Sequence, residues 1–207
     1  RATHKLYNTS LTFTHAFNTD WQVKARFSHL LRDINDPQTF GKSLDATTGM
    51  LQRGFFQGIG PNNLYQGTVD MTGQFHTAGI KHNVLAGWEY YGNFAKYKSI
   101  YLADANPINI FDPRYSPISP NNLQVNDFSV FNTQWNGVYF QDQITLFDKL
   151  HIMGGGRYDW VTQNNGFASG ADQSLADAKT AATKVSDAHF SPRAGIVYQP
   201  WEWLSFY

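Results

Sequence analysis

The 207-residue sequence contains no cysteine, which excludes a disulfide framework, a thiolate metal site and a cysteine nucleophile. Charge is scarce: Asp, Glu, Lys and Arg make up 15% of the chain, against about a quarter of an ordinary soluble domain. Acids and bases balance to a formal net charge of zero, so there is no electrostatic reason to expect a nucleic-acid partner. No run approaches the ~18–20 apolar residues that a membrane helix requires. A GxSxG nucleophile elbow is missing, so acyl-transfer catalysis has no support. The seven histidines show neither HExxH nor HxxxH spacing; His76 and His82 flank a tight turn and read as rim residues rather than as a metal site. The chain opens RATHKLY, without an initiating Met or a leader, and closes on LSFY, itself strand-like. Both ends read as cuts through a longer protein.

What the sequence has in quantity is aromatic residues, 16% of the chain, set in long stretches of period-two alternation. Strands are predicted near 5–17, 21–34, 62–78, 81–97, 131–146, 150–163, 187–198 and 202–207. Most exceed twice the ~5–6 residues usual in soluble sheets. Between them, tight turns at 18–20, 79–80, 147–149 and 199–201 alternate with long loops at 35–61, 98–130 and 164–186. Short turns on one rim and long loops on the other describe an antiparallel up-and-down transmembrane β-barrel. The stretch 49–58 is assigned to the second rim, as an arm of a hairpin above the membrane. The loops are expected to be irregular: 106–122 is proline-rich, and the alanine-rich 171–185, with only a weak apolar stripe, reads as mobile more than as a short helix.

Pairing across the turns separates two faces. Three-residue loops at 18–20 and 147–149 set Phe13 opposite Ala25, Leu11 opposite Phe27, Phe140 opposite Gly156 and Val138 opposite Tyr158 on an apolar face. The other face carries Thr14 with Lys24, Thr12 with Arg26, Tyr139 with Arg157 and Gly137 with Asp159. A two-residue loop at Gly79-Ile80 sets Met71 opposite Trp88 and Asp70 opposite Glu89. Val84, Ala86, Trp88 and Tyr90 should therefore share one face, with Leu85, Gly87, Glu89 and Tyr91 on the other. At ~3.3 Å per residue and ~45° tilt, height grows by roughly 2.3 Å per residue. Phe17, Trp21, Phe75, Leu146, Trp201 and Trp203 hug the short-turn rim, with Trp160 and Phe94 about 25–30 Å above it, as two interfacial aromatic belts require. Asp142 is the exception: alternation puts it on the apolar face, which calls for a bulge, a position low enough to reach the interface, or a register error.

The segments KHNVLAGWEYY (81–91), GVYFQDQITLFDKLHIMGGGRYDWV (137–161) and FSPRAGIVYQPWEWLSFY (190–207) resemble the barrel repeats of TonB-dependent siderophore receptors, and the likeness runs over nearly the whole chain. It implies 1–207 as part of a 22-stranded outer-membrane barrel of a Gram-negative cell, a ferric siderophore as transported ligand, lipid around the wall, and TonB acting through an N-terminal plug. No plug-like segment, TonB box or closing aromatic strand is present, and the function expected is transport without catalysis or a resident cofactor. Ligand contact would fall to Arg53, Phe55, Phe56, Tyr101, Phe111, Arg114, Tyr115 and Trp135. Lumen charge would be carried by Lys24, Arg26, Asp70, Glu89, Arg157, Asp159 and Arg193, with a basic side chain from 21–34 bridging Asp70 and Glu89. Two other readings of the pattern are a porin-like or small complete barrel and a soluble β-sheet binding or carbohydrate-active domain.

Overall fold

The computed structural model describes residues 2–118 and 123–207. The strands are β1 (Thr3–Ala16), β2 (Trp21–Asp45), β3 (Met50–Thr77), β4 (Ile80–Asn109), β5 (Gln124–Leu146), β6 (Leu150–Ser169), β7 (Thr183–Trp201) and β8 (Leu204–Phe206), with one helix, α1 (Leu175–Thr180). All eight strands form one antiparallel sheet in chain order, an open meander in which every strand pairs with its sequence neighbour. The sheet is a single layer. Among the described residues no large side chain is fully buried, and Leu11, Phe13, Phe140 and Phe190 on the apolar face stay more than half exposed.

Tight turns set the register. Asn18 Oδ1 accepts the backbone N–H groups of Asp20 and Trp21, both at 2.8 Å, and the β1–β2 pairing then runs as expected, Phe13 to Ala25 and Leu11 to Phe27. The β5–β6 hairpin likewise pairs Phe140 with Gly156 and Tyr139 with Arg157. Across β3–β4 the expected register is corrected by two residues. The loop is Ala78-Gly79, with φ of 50° and 81°, and not Gly79-Ile80. A two-residue loop of this hand requires positive φ at both positions, and glycine is best placed second. Met71 therefore faces Ala86, and Asp70 faces Gly87 instead of Glu89. A slip of two preserves parity, so the assigned faces stand. The last turn is corrected in the same way: it is Glu202-Trp203, with Trp201 paired to Leu204, and not 199–201.

The predicted long loops are mostly sheet. β2 and β3 continue through 35–61 and turn only at 46–49, so 50–58 is indeed an arm of a hairpin beyond the second belt. β4 runs on to Asn109, β5 begins at Gln124, and 164–169 and 183–186 extend β6 and β7. Residues 119–122 of the predicted 98–130 loop lie outside the described residues. Prolines mark where ladders are open: Pro37 lies beyond Thr3↔Asn35, the last pair with β1, so its missing N–H breaks no bond there. Within 171–185 a short helix forms, against expectation. Ser174 caps α1 in a capping box with Asp177, which satisfies the orphan N–H groups that its weak apolar stripe does not compensate.

Candidate functional site

Two groups of side chains gather on the inward, polar face. The lower one crosses six strands, β2 to β7. The pairing register sets Lys24, Asp70, Gly87, Tyr139, Arg157 and Ser191 in a row across the sheet, and Arg26, Thr68, Glu89, Gly137, Asp159 and His189 in the next. The Tyr139 hydroxyl donates to Asp70 two strands away. Arg157 reaches equally far, its Nη1 lying 3.0 Å from Glu89 Oε2. Its Nε also donates to Asp159 at 2.7 Å, and Trp135 Nε1 donates to the same carboxylate at 2.8 Å. The Arg157 guanidinium stands 5.5 Å from the Tyr139 ring centroid.

Glycine makes both reaches possible. A Cβ at Gly87 would clash with the hydroxyl end of the Tyr139 ring, and one at Gly137 would meet the Arg157 guanidinium and the Asp159 carboxylate. Each glycine is the tunnel through which a long side chain crosses the intervening strand. The carboxylates Asp70 and Glu89, expected face to face and bridged by a base of 21–34, are instead held separately by Tyr139 and Arg157. The two-residue slip parts them, so the like-charge clash that demanded a bridge never forms. Among the described residues, Lys24, Arg26 and Arg193 make no ion pair within 4.0 Å. Arg193 borders a hollow of about 460 Å³ that it shares with Glu89, Tyr139, Gln141 and Arg157.

The upper group lies where β2, β3 and β4 rise beyond the belt. Phe40 pairs with Gly54, Phe56 with Tyr101, and the Phe40 and Tyr101 rings stack at 6.3 Å across the glycine. All three aromatics share the inward parity and are about 40% exposed, forming an aromatic platform. Of the residues expected to contact ligand, Phe56 and Tyr101 are in this platform; Phe40 was missed, because nothing in 35–61 alternates strongly. Arg53 and Phe55 are buried, at 6% and 7% exposure. Both Arg53 Nε and Nη2 donate to the Asn106 carbonyl, and the guanidinium lies 5.8 Å from the Tyr115 ring, so this arginine fastens the proline-rich segment. Phe111 is exposed and covers Gly49; Arg114 is exposed and pairs with Asp112 at 3.2 Å. Trp135 sits with the lower network, on Asp159.

Asp142 stays on the apolar face with its pairing regular on both sides, so neither a bulge nor a slip relieves it. It lies four residues above Leu146, and His82 Nδ1 donates to its Oδ2 at 2.7 Å. His82 in turn stacks on Phe75 at 4.6 Å, and Phe75 on Trp21 at 6.3 Å. A near-rim position and the His82 partner accommodate Oδ2, while Asp142 Oδ1 is buried without a hydrogen-bond partner among the described residues.

A family model described as TonB dependent receptor-like, beta-barrel, matches residues 1–207. No curated protein matches the chain. Among solved structures, the fold is similar to the siderophore receptor PiuA from Acinetobacter baumannii, with a TM-score of 0.70 at 14% identity over 97% of this chain and 31% of that one. It is similar to the closed form of the ferric-catecholate import receptor Fiu from E. coli K12, TM-score 0.73 at 19% identity over 97% and 31%. It is similar also to P. aeruginosa FpvA bound to a heterologous pyoverdine, TM-score 0.73 at 16% identity over 95% and 25%. At these identities the likeness is one of fold, and the chain spans less than a third of each of these three receptors.

Proposed function

Because the chain belongs to the TonB dependent receptor-like β-barrel family, and so to the outer-membrane barrels, we propose that it forms part of the wall of a receptor that imports a ferric siderophore. In this reading the chelate binds from outside, and TonB drives uptake by acting on a plug domain in the lumen. The observation that carries the membrane part is the single-layer sheet: its aromatic face has no second layer, and a soluble protein rarely leaves so large an apolar surface uncovered. Lipid is the partner that such a face suits. The soluble-domain reading has no comparable observation in its favour; the small-barrel reading shares this face, but the eight-stranded sheet is open between β1 and β8 and the receptor barrel family model matches the whole chain.

The siderophore part is supported by the platform of Phe40, Phe56 and Tyr101, whose flat, partly exposed rings suit a ligand with aromatic or planar chelating groups. The similar solved receptors are described as handling ferric siderophores, Fiu a ferric catecholate and BauA from Acinetobacter baumannii ferric preacinetobactin. The lower network of Asp70, Tyr139, Arg157, Glu89 and Asp159, with Arg193 beside it, would then face the plug. Nothing in this chemistry calls for catalysis. The test is growth of a strain lacking the receptor on single ferric chelates under iron starvation. One chelate class should fail to support growth until the gene is restored, and Phe56→Ala with Tyr101→Ala should weaken its uptake. Growth unchanged on every iron chelate would sink the reading.

A further inference from the structure

The outward face carries a second concentration of chemistry, which siderophore import does not use. Above the upper belt of Phe94 and Trp160, the alternation that supplies apolar residues lower down supplies cations. Lys96 and Lys98 follow Phe94 at the same parity on β4, and Lys184 pairs with Asn164 on β6. The helix α1 lies on this outer side. A Cβ at Gly166, whose parity is that of Tyr158 and Trp160, would strike the Ala178 carbonyl, so the missing side chain is what lets the helix dock, with Ala178 fully buried. Docking brings Lys179 over the sheet. Lys96, Lys179, Asn132 and Asn164 line one cavity of about 340 Å³, floored by Val130 and Phe94. Among the described residues neither lysine makes an ion pair within 4.0 Å. The acid on the helix is engaged elsewhere: Asp177 accepts from the Ser174 N–H at 2.8 Å and from its hydroxyl.

Height identifies the ligand's surroundings. Lys96 stands two residues beyond Phe94 on β4, about 5 Å above the upper aromatic belt that bounds the apolar band. That is the level of the outer-leaflet headgroups. Two ammonium groups and two carboxamides converging above an apolar floor match a phosphomonoester attached to an acyl-bearing molecule: the cations and N–H donors take the phosphate oxygens, and the chains run down over Phe94 and the belt below. The geometry points to a docking site for a phosphate-bearing lipid of the outer leaflet, held between β4 and α1. The inference rests on the membrane reading above.

The test uses the whole receptor carrying this chain, reconstituted in nanodiscs and released for native mass spectrometry. Phosphatidic acid is offered against phosphatidylcholine of the same chain length. Wild type should retain phosphatidic acid preferentially, and Lys96→Gln with Lys179→Gln should lower that preference by about tenfold to thirtyfold, from roughly 1 kcal/mol per lysine near a charged surface. Lys96→Arg with Lys179→Arg should keep it, which separates loss of charge from misfolding, and Lys149→Gln at the opposite rim should leave it intact. Equal retention of both lipids by wild type, or a preference unmoved by the double glutamine variant, overturns the inference while leaving the barrel in place. Equal occupancy by glycerol 3-phosphate without lipid overturns it too, since the site would then read a soluble phosphate. Failure of the receptor to insert at all would instead refute the membrane reading beneath it.

Discussion

Replacing Gly87 with alanine should destabilise the barrel, although the same change in an ordinary strand stabilises it. An added Cβ in a strand recovers about 0.5–1 kcal/mol of backbone entropy. Here that carbon would occupy the space of the Tyr139 ring, which crosses Gly87 to reach Asp70. Displacing the ring breaks a hydrogen bond to a carboxylate, worth about 1.5–3 kcal/mol in general and near the lower end at a part-exposed site. The net effect of Gly87→Ala is then a loss of about 1 kcal/mol. In a Tyr139→Ala background the ring is gone, the obstruction disappears, and the same substitution should become stabilising by about 0.5–1 kcal/mol. The measurement is a double-mutant cycle, with each variant folded into lipid vesicles and unfolded in urea under tryptophan fluorescence. A coupling of about 1.5–2 kcal/mol and a change of sign are expected. Additivity within about 0.5 kcal/mol would refute the claim that Gly87 exists to let Tyr139 through.

Met71→Arg, about 14 Å above the short-turn rim on the outward face, should cost about 2–4 kcal/mol in the same unfolding assay, whereas Gln141→Arg on the inward face should change little; similar costs would mean that the faces are misassigned. His82→Leu with Asp142→Val should equal or exceed wild type in stability, while His82→Leu alone, which strands a carboxylate on the outward face, should be clearly destabilising; a double variant no better than the single one would show that the pair itself holds the sheet. The turn at 46–49 should loosen in acid. Asp45 accepts from the Thr47 and Thr48 N–H groups, and bonds from Thr48 and Thr47 hold its carboxyl below the usual range. A depressed folded value means a contribution present at neutral pH and lost as pH falls below about 4. Hydrogen-exchange protection of this turn should drop there in wild type and show no such step in Asp45→Asn.

The wall was legible in the sequence where lipid dictates it. Leu11, Phe13, Phe27, Met71, Val138 and Phe140 alternate because one face must be apolar, and that parity survives the two-residue error at Ala78-Gly79. The short turns at 18–20 and 147–149 were legible too, because flanking pairs such as Leu146 and Leu150 admit one loop length. Beyond the belts the signal fails for a physical reason. β2, β3 and β4 continue through Asp36, Pro37, Gly41 and Asn106, where water lies on both sides and no alternation is required, so the sheet there resembles loop. The site was half visible. The acids and bases of the lower network could be placed on one face from spacing alone. Their partners could not, since Tyr139 and Arg157 bond across two strands rather than to the neighbour opposite, and only the glycines between them hint at it.

The three tall strands have a consequence for traffic at the cell surface. β4, in the middle of the sheet, has 30 residues where β7 has 19, so this arc of the rim is not level: it stands roughly 25 Å higher at β4 than at β7, at about 2.3 Å per residue. A molecule drifting along the membrane meets a parapet on one side and a low sill on the other, and Phe40, Phe56 and Tyr101 are fixed to the inner side of the parapet. Under the proposed function, a chelate arriving over the low side would have the platform directly in front of it, while a body pressed against the outside of the parapet would not touch it.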